Sequence, residues 1–225
     1  MMAAAIAMIS AAGALQSCMD TQEPDVYRQT AVVTVRPNSD GSFVMQLNNN
    51  TVLQPTNMSR SPYGQKEVRA LVDYTLTAAS DSRATAIYNV NVNGIDSIRT
   101  KLPVYTVGSL DDKTYGNDPI EIVKDWVTVA EDGYLTLRVR TAWSNAKADH
   151  YINLVTGINP DDPYEVELRH DARGDVNGAM ADALVAFNLN KLPRPEGGVA
   201  KLKVKWTSFS GPKSTEFELQ MHNDE

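Results

Sequence analysis

From Tyr27 to Leu219 the chain is written in period two. In Lys201-Leu202-Lys203-Val204-Lys205-Trp206 charge alternates with apolar bulk at every position. Leu135, Leu137 and Val139 alternate in the same way with Thr136, Arg138 and Arg140. Successive side chains of a strand point to opposite faces, so each segment predicts one buried face and one wet face. No convincing helical spacing interrupts the pattern. A chain of this kind must pair its strands into sheets and stack or close them.

Turn chemistry divides the pattern into elements. Thr30 to Val35 is rich in β-branched residues and ends at Pro37, and Asn38-Ser39-Asp40-Gly41 predicts a hairpin turn into Ser42 to Leu47. A short segment closes at Gln54-Pro55-Thr56-Asn57, and a polar loop follows from Met58 to Lys66. Glu67 to Thr77, Ala84 to Val92 (broken by Gly94) and Ile98 to Val107 complete five or six strands, which suits a small barrel or sandwich over residues 26–110. Residues 111–118, rich in Gly, Asn and Asp, read as a linker. Residues 119–225 hold about seven short strands at the spacing of an immunoglobulin-like β-sandwich. They lie near Ile120–Val129, Tyr134–Thr141, His150–Val155, Tyr164–Arg169, Ala183–Leu189, Lys201–Trp206 and Thr215–Leu219. The lysine face of Lys201–Trp206 would also suit an edge strand.

Charge supports the same division. Acidic and basic side chains cancel over residues 18–110, so the whole net charge of −7 lies in 111–225. A net-negative chain without a basic run argues against a nucleic-acid partner, whose phosphates are met by Lys and Arg.

Cys18 is the only cysteine. It follows an uncharged apolar opening, and Leu15-Gln16-Ser17-Cys18 has the pattern of a bacterial lipobox. Residues 1–17 then read as a signal peptide, too short for a bilayer span of about 20 residues. The usual positive n-region is missing. Cys18 is the expected lipid attachment point, and residues 18–25 the acidic spacer of a protein anchored in the outer membrane. Beyond the lipid, the expected partner is a protein or glycan.

Few residues point to chemistry. His150, His170 and His222 lack zinc-ligand spacing, and no cofactor or metal is expected. Asp161-Asp162-Pro163 and Asp171 to Asp175 match no calcium loop and read as turns. Nucleophile elbows, P-loops and dinucleotide fingerprints are missing. Glu165 and Glu167 share one strand face with Arg169, which predicts a salt-bridge row. An envelope glycan-processing hydrolase using Glu165, Glu167 or Asp171 is the alternative reading, and requires one carboxyl with a raised pKa. Trp126 and Trp206 have apolar neighbours and are expected in the core. Trp143, beside the polar segment Ser144 to Asp149, is the candidate ligand-facing aromatic, with Glu165 and Glu167 as candidate ligand-facing acids.

Several stretches carry a family resemblance. They include Val35-Arg36-Pro37-Asn38, Gly41 to Leu47, Leu53 to Asn57, Lys66 to Tyr74, Asn117 to Val123 and Asp125-Trp126-Val127. Asp132-Gly133-Tyr134-Leu135, Asp161 to Asp171 and Trp206 to Ser210 extend it. Through these the chain resembles the NigD-like lipoproteins of anaerobic Gram-negative bacteria. The resemblance implies an OB-like N-terminal barrel, a C-terminal β-sandwich and a lipid anchor. It also implies a link to bacteriocin immunity or secretion, and it carries over no catalytic residue. The expected protein is a non-enzymatic binding or scaffold module.

Overall fold

A computed structural model describes residues 28–78, 86–106, 110–144 and 148–222. Cys18, the signal segment and the whole spacer lie outside the described residues.

Five strands form the N-terminal barrel: β1 (Arg28–Pro37), β2 (Phe43–Asn48), β3 (Thr51–Pro55), β4 (Val68–Ala78) and β5 (Ala86–Ser97). They close in the order β1-β2-β3-β5-β4, with β3 and β5 parallel. The alternation predicted for these segments points Val33, Val35, Phe43, Met45, Leu53, Val72 and Val90 into a dry core. Burying a side chain of this size contributes roughly 1.5–3 kcal/mol. Gly94 does not end β5. Asp73 pairs with Gly94 and Tyr74 with Val92, so Asn93 bulges out and the strand runs on. The loop after Asn57 folds back on the barrel, and Met58 and Tyr63 pack against its core.

The sandwich starts earlier than the sequence implied. β6 (Arg99–Lys101) and β7 (Val104–Tyr105) fall within the stretch assigned to the barrel, yet they pair with sandwich strands. β6 forms the edge of one sheet and β7 the edge of the other, so residues 99–105 cross between them. The remaining strands are β8 (Glu121–Val123), β9 (Val129–Glu131), β10 (Tyr134–Trp143), β11 (Tyr151–Thr156), β12 (Glu165–Asp171), β13 (Ala179–Asn188), β14 (Val199–Ser208) and β15 (Gly211–Gln220). Each of the seven expected strands is present. The first is split into β8 and β9 by a turn at Asp125–Thr128, and the added edges bring both sheets to five strands among the described residues.

One sheet runs β6-β13-β10-β8 with β9 also on β10, and the other runs β15-β14-β12-β11-β7. Leu135, Leu137, Val185 and Phe187 meet Leu154, Leu168, Leu202 and Val204 between them. The lysine strand β14 is covered on both sides, by β12 and β15, so its lysines guard no edge. Lys203 and Lys205 instead pair with Glu165 across the sheet. The expected linker contains a short helix, α1 (Asp112–Tyr115). Arg169 ties it down, donating to Gly116 O and pairing with Asp112.

The two domains are joined by an outer face of each. Val32 and Leu71 of the barrel pack on Val127, Val129, Leu184 and Ala186 of the sandwich. The polar side of β10 is therefore not uniformly wet, and Thr136 is fully buried. Arg69 reaches across the joint, donating to Thr34 Oγ1 (3.0 Å) and Thr136 Oγ1 (3.2 Å), with its guanidinium 5.7 Å from the Tyr134 ring. Its Nη2 has no partner, and burial pulls its pKa below the usual value. Arg36 places Nη2 2.7 Å from both Asp132 oxygens and donates from Nε to Glu67. Tyr134 donates to Glu67 and accepts from Asn188.

Candidate functional site

The same alternation that builds the core leaves a gap at one end of the sandwich. Val139, Thr141 and Trp143 lie on the inward face of β10, opposite Ala183, Ala181 and Ala179 of β13. The methyl groups of Ala181 and Ala183 are too small to fill the space between the sheets. From the other sheet, Ile152 and His170 pair across β11 and β12 and share the inward face, with His150 just before β11. The result is a cleft of about 350 Å³ lined by all of these except Ala179 and His170, and by Val185 and the basic pair Arg99 and Lys101. That volume lies at the lower end of the range of ligand pockets, roughly 300–1,000 Å³.

An aromatic stack forms its polar wall. Trp143 lies on His150 with ring centroids 4.6 Å apart, and His150 lies on His170 at 5.0 Å. His150 Nδ1 is 2.9 Å from His170 Nε2, and His170 Nδ1 is 3.3 Å from Pro119 O. Pro119 O can only accept, so the network assigns the His170 proton to Nδ1 and makes Nε2 the acceptor for His150. Burial, reinforced by the neighbouring His150, pushes the His170 pKa down. At the far end His150 Nε2 stands 3.4 Å from Asp175, which also accepts from the Ser144 amide.

Lys101 closes the side. Its ammonium donates to Ile152 O (2.5 Å) and Asn153 Oδ1 (2.7 Å), bridging β6 to β11. Burial and the adjacent Arg99 lower its pKa.

Sequence reasoning placed Trp143 beside a polar segment, and the structure puts it half-buried at the cleft. It gave no role to His150 and His170. The signal was available in the β11–β12 pairing, since counting out from the turn brings both imidazoles to one face. Trp206 is in the core as expected, whereas Trp126 is 57% exposed. The turn between β8 and β9 turns Val127, rather than its neighbour, into the domain joint. Of the Ser144–Asp149 segment, residues 145–147 lie outside the described residues, while Ala148 and Asp149 line the cleft.

Glu165 and Glu167 lie elsewhere, on the outward face of β12. Lys205 and Lys203 hold the Glu165 carboxyl below its usual pKa, the reverse of what a general acid needs. Glu167 accepts from Arg169 at 2.8 Å, as the expected ion-pair row. Asp171 caps its own turn by accepting from the Arg173 amide. The hydrolase reading draws no support from these three. Among the described residues no group of three or more His, Cys, Asp or Glu side chains is placed to hold a metal ion.

Comparison with known proteins agrees with this architecture. Residues 32–98 match the NigD-like N-terminal OB domain, and residues 103–219 the NigD-like C-terminal beta sandwich domain. The break at 98–103 falls where β5 leaves the barrel. No curated protein matches the chain. A candidate toxin-related protein from Parabacteroides distasonis is 31% identical, with 86% of this chain and 94% of that one covered and a TM-score of 0.71. A NigD-like immunity protein from Bacteroides caccae is 21% identical, covering 86% and 92%, with a TM-score of 0.53. A candidate lipoprotein from Bacteroides fragilis is 13% identical, covering 88% and 100%, with a TM-score of 0.57. The last two share the fold. With an OB barrel and a β-sandwich matched over most of its length, the chain belongs to the NigD-like family.

Proposed function

We propose that this is a non-enzymatic, lipid-anchored protein of the cell envelope that binds a small ligand in the inter-sheet cleft. The observation that carries the binding role is the cleft itself: an apolar hollow with convergent Trp143, His150 and Lys101 at its mouth. Pockets of this composition are the default place for a ligand. The anchor rests on Leu15-Gln16-Ser17-Cys18 and on the lipoprotein description given to a relative of the same fold. Acyl chains on Cys18 and the acidic spacer would hold the two domains at the outer membrane.

Two measurements test this. Mass spectrometry of native protein should find an N-terminus at residue 18 bearing acyl chains, and an unmodified thiol behind an intact Met1 would refute the anchor. Filling the cleft with Ala183→Trp should abolish retention of envelope components captured by the native protein. Unchanged capture by a folded variant would refute the cleft. The immunity label on the Bacteroides caccae relative favours a second reading, self-protection against a toxin. A deletion strain would then lose survival when challenged by neighbouring strains.

A further inference from the structure

The cleft has an unbalanced charge. Arg99 and Lys101 lie two residues apart on β6 and pair with Val185 and Phe187, both of which face the core. Both cations therefore sit on the inward face of an edge strand and line the cleft. Among the described residues Lys101 is engaged by two neutral oxygens, Ile152 O and Asn153 Oδ1. Among the described residues, neither Arg99 nor Lys101 has a carboxylate within ion-pair range. Among the described residues Asp149 is the one acid lining the cleft, while Asp175 is held by Ser144 and His150.

An inward cation on an edge strand has a second use, since it discourages strand addition. One such residue would serve that purpose. Here two are adjacent, and each raises the electrostatic cost of the other. A bound anion removes that repulsion and gains charge-assisted hydrogen bonds from both. Thr141, Trp143, Asp149, His150 and Tyr151 add polar groups to the lining, and the aliphatic remainder meets the body of the ligand. Val139, Ile152, Ala181, Ala183 and Val185 offer no hydrogen-bonding side chain. A sugar bound against these aliphatic residues would leave hydroxyls unpaired on that side. An aliphatic chain or a ring without hydroxyls loses nothing on entering.

We infer that the cleft takes a small carboxylate with an apolar body, its carboxyl group between Arg99 and Lys101 and its body against Ala181, Ala183 and Val139. This rests on the cleft being the binding site. Where the sequence left a protein or a glycan as the expected partner, this names an organic acid of a few carbons.

Calorimetric titration of the purified protein with hexanoate, hexanamide and glucuronate tests it. Hexanoate should bind saturably, and hexanamide about tenfold more weakly or worse. Glucuronate, which keeps the charge but adds hydroxyls, should also be weak. Arg99 is exposed, so Arg99→Gln should fold normally and weaken hexanoate about tenfold while leaving hexanamide unchanged. Lys101→Met should act in the same direction. Ala183→Leu should exclude hexanoate by occupying its place. Equal binding of hexanamide and hexanoate would overturn the charge assignment and leave the cleft standing as a binding site. Glucuronate binding as tightly as hexanoate would overturn the apolar body. No binding by any of the three would overturn the inference, while the lipid on Cys18 would be unaffected.

Discussion

Replacing Arg36 with Met should cost this protein about 3 kcal/mol. Arg36 belongs to the barrel and Asp132 to the turn between β9 and β10, so their contact bolts the domains together. The Asp132 side chain is 1% exposed, and its neighbours beyond Arg36 include His222 Nδ1 at 2.9 Å. Removing one partner of a buried pair typically costs about 3–5 kcal/mol, because the other is left charged and dry. Arg36 is 18% exposed, so water can reach part of the vacated space, and the lower end applies. For a chain of this size that corresponds to roughly 6–12 °C in melting temperature. Asp132→Asn should then rescue the loss. It removes the stranded charge, and Asn tolerates the left-handed backbone that Asp132 adopts at φ 57°. Urea titrations of the native protein, both single variants and the double variant would supply the cycle, followed by circular dichroism. A coupling of about 2 kcal/mol is expected. A loss below about 1 kcal/mol for Arg36→Met, or an equal loss with and without Asp132→Asn, would refute the argument that this pair is a buried joint.

Other expectations follow from the same geometry. His170 has its pKa lowered in the fold, so the unfolded chain binds the proton more readily. Stability from this group is present above its ordinary value near 6.5 and falls with acidification below it, by at most about 1.4 kcal/mol per pH unit. His170→Asn should flatten that slope below pH ~6.5 in urea titrations, and an unchanged slope would remove His170 as its source. Trp206→Ala should cost about 3–5 kcal/mol, because the side chain is 6% exposed in the sandwich core. Trp126→Ala should change thermal stability by less than about 1 kcal/mol, and equal losses for the two would contradict their burial. A Cβ on Gly178 would lie 1.9 Å from the Trp143 carbonyl carbon, which backbone cannot yield. Gly178→Ala should therefore destabilise by roughly 1–3 kcal/mol and shift the Trp143 fluorescence, and a silent substitution would contradict the close approach.

The strand content and the sidedness of most strands were legible in the chain, because period two is a local property. Leu202, Val204 and Trp206 had to share a face whatever lay across from them. The turn at Asp40-Gly41 was legible for the same reason, since its chemistry is that of adjacent residues. Thr136 shows where this ends. Its pattern marked it as wet, and only the docking of Arg69 across the domain joint buries it. The destination of residues 99–105 was likewise undetermined, since β6 and β7 are two or three residues long and gain their partners from strands far along the chain.

By itself, then, the sequence determined the alternation, the turns and the charge division. The tertiary structure alone decided that two alanines open a cleft beneath Trp143, and that Arg99 and Lys101 face into it. Those relations depend on strand register and sheet stacking, which juxtapose side chains 36 to 86 positions apart and leave no mark in the order of neighbouring residues.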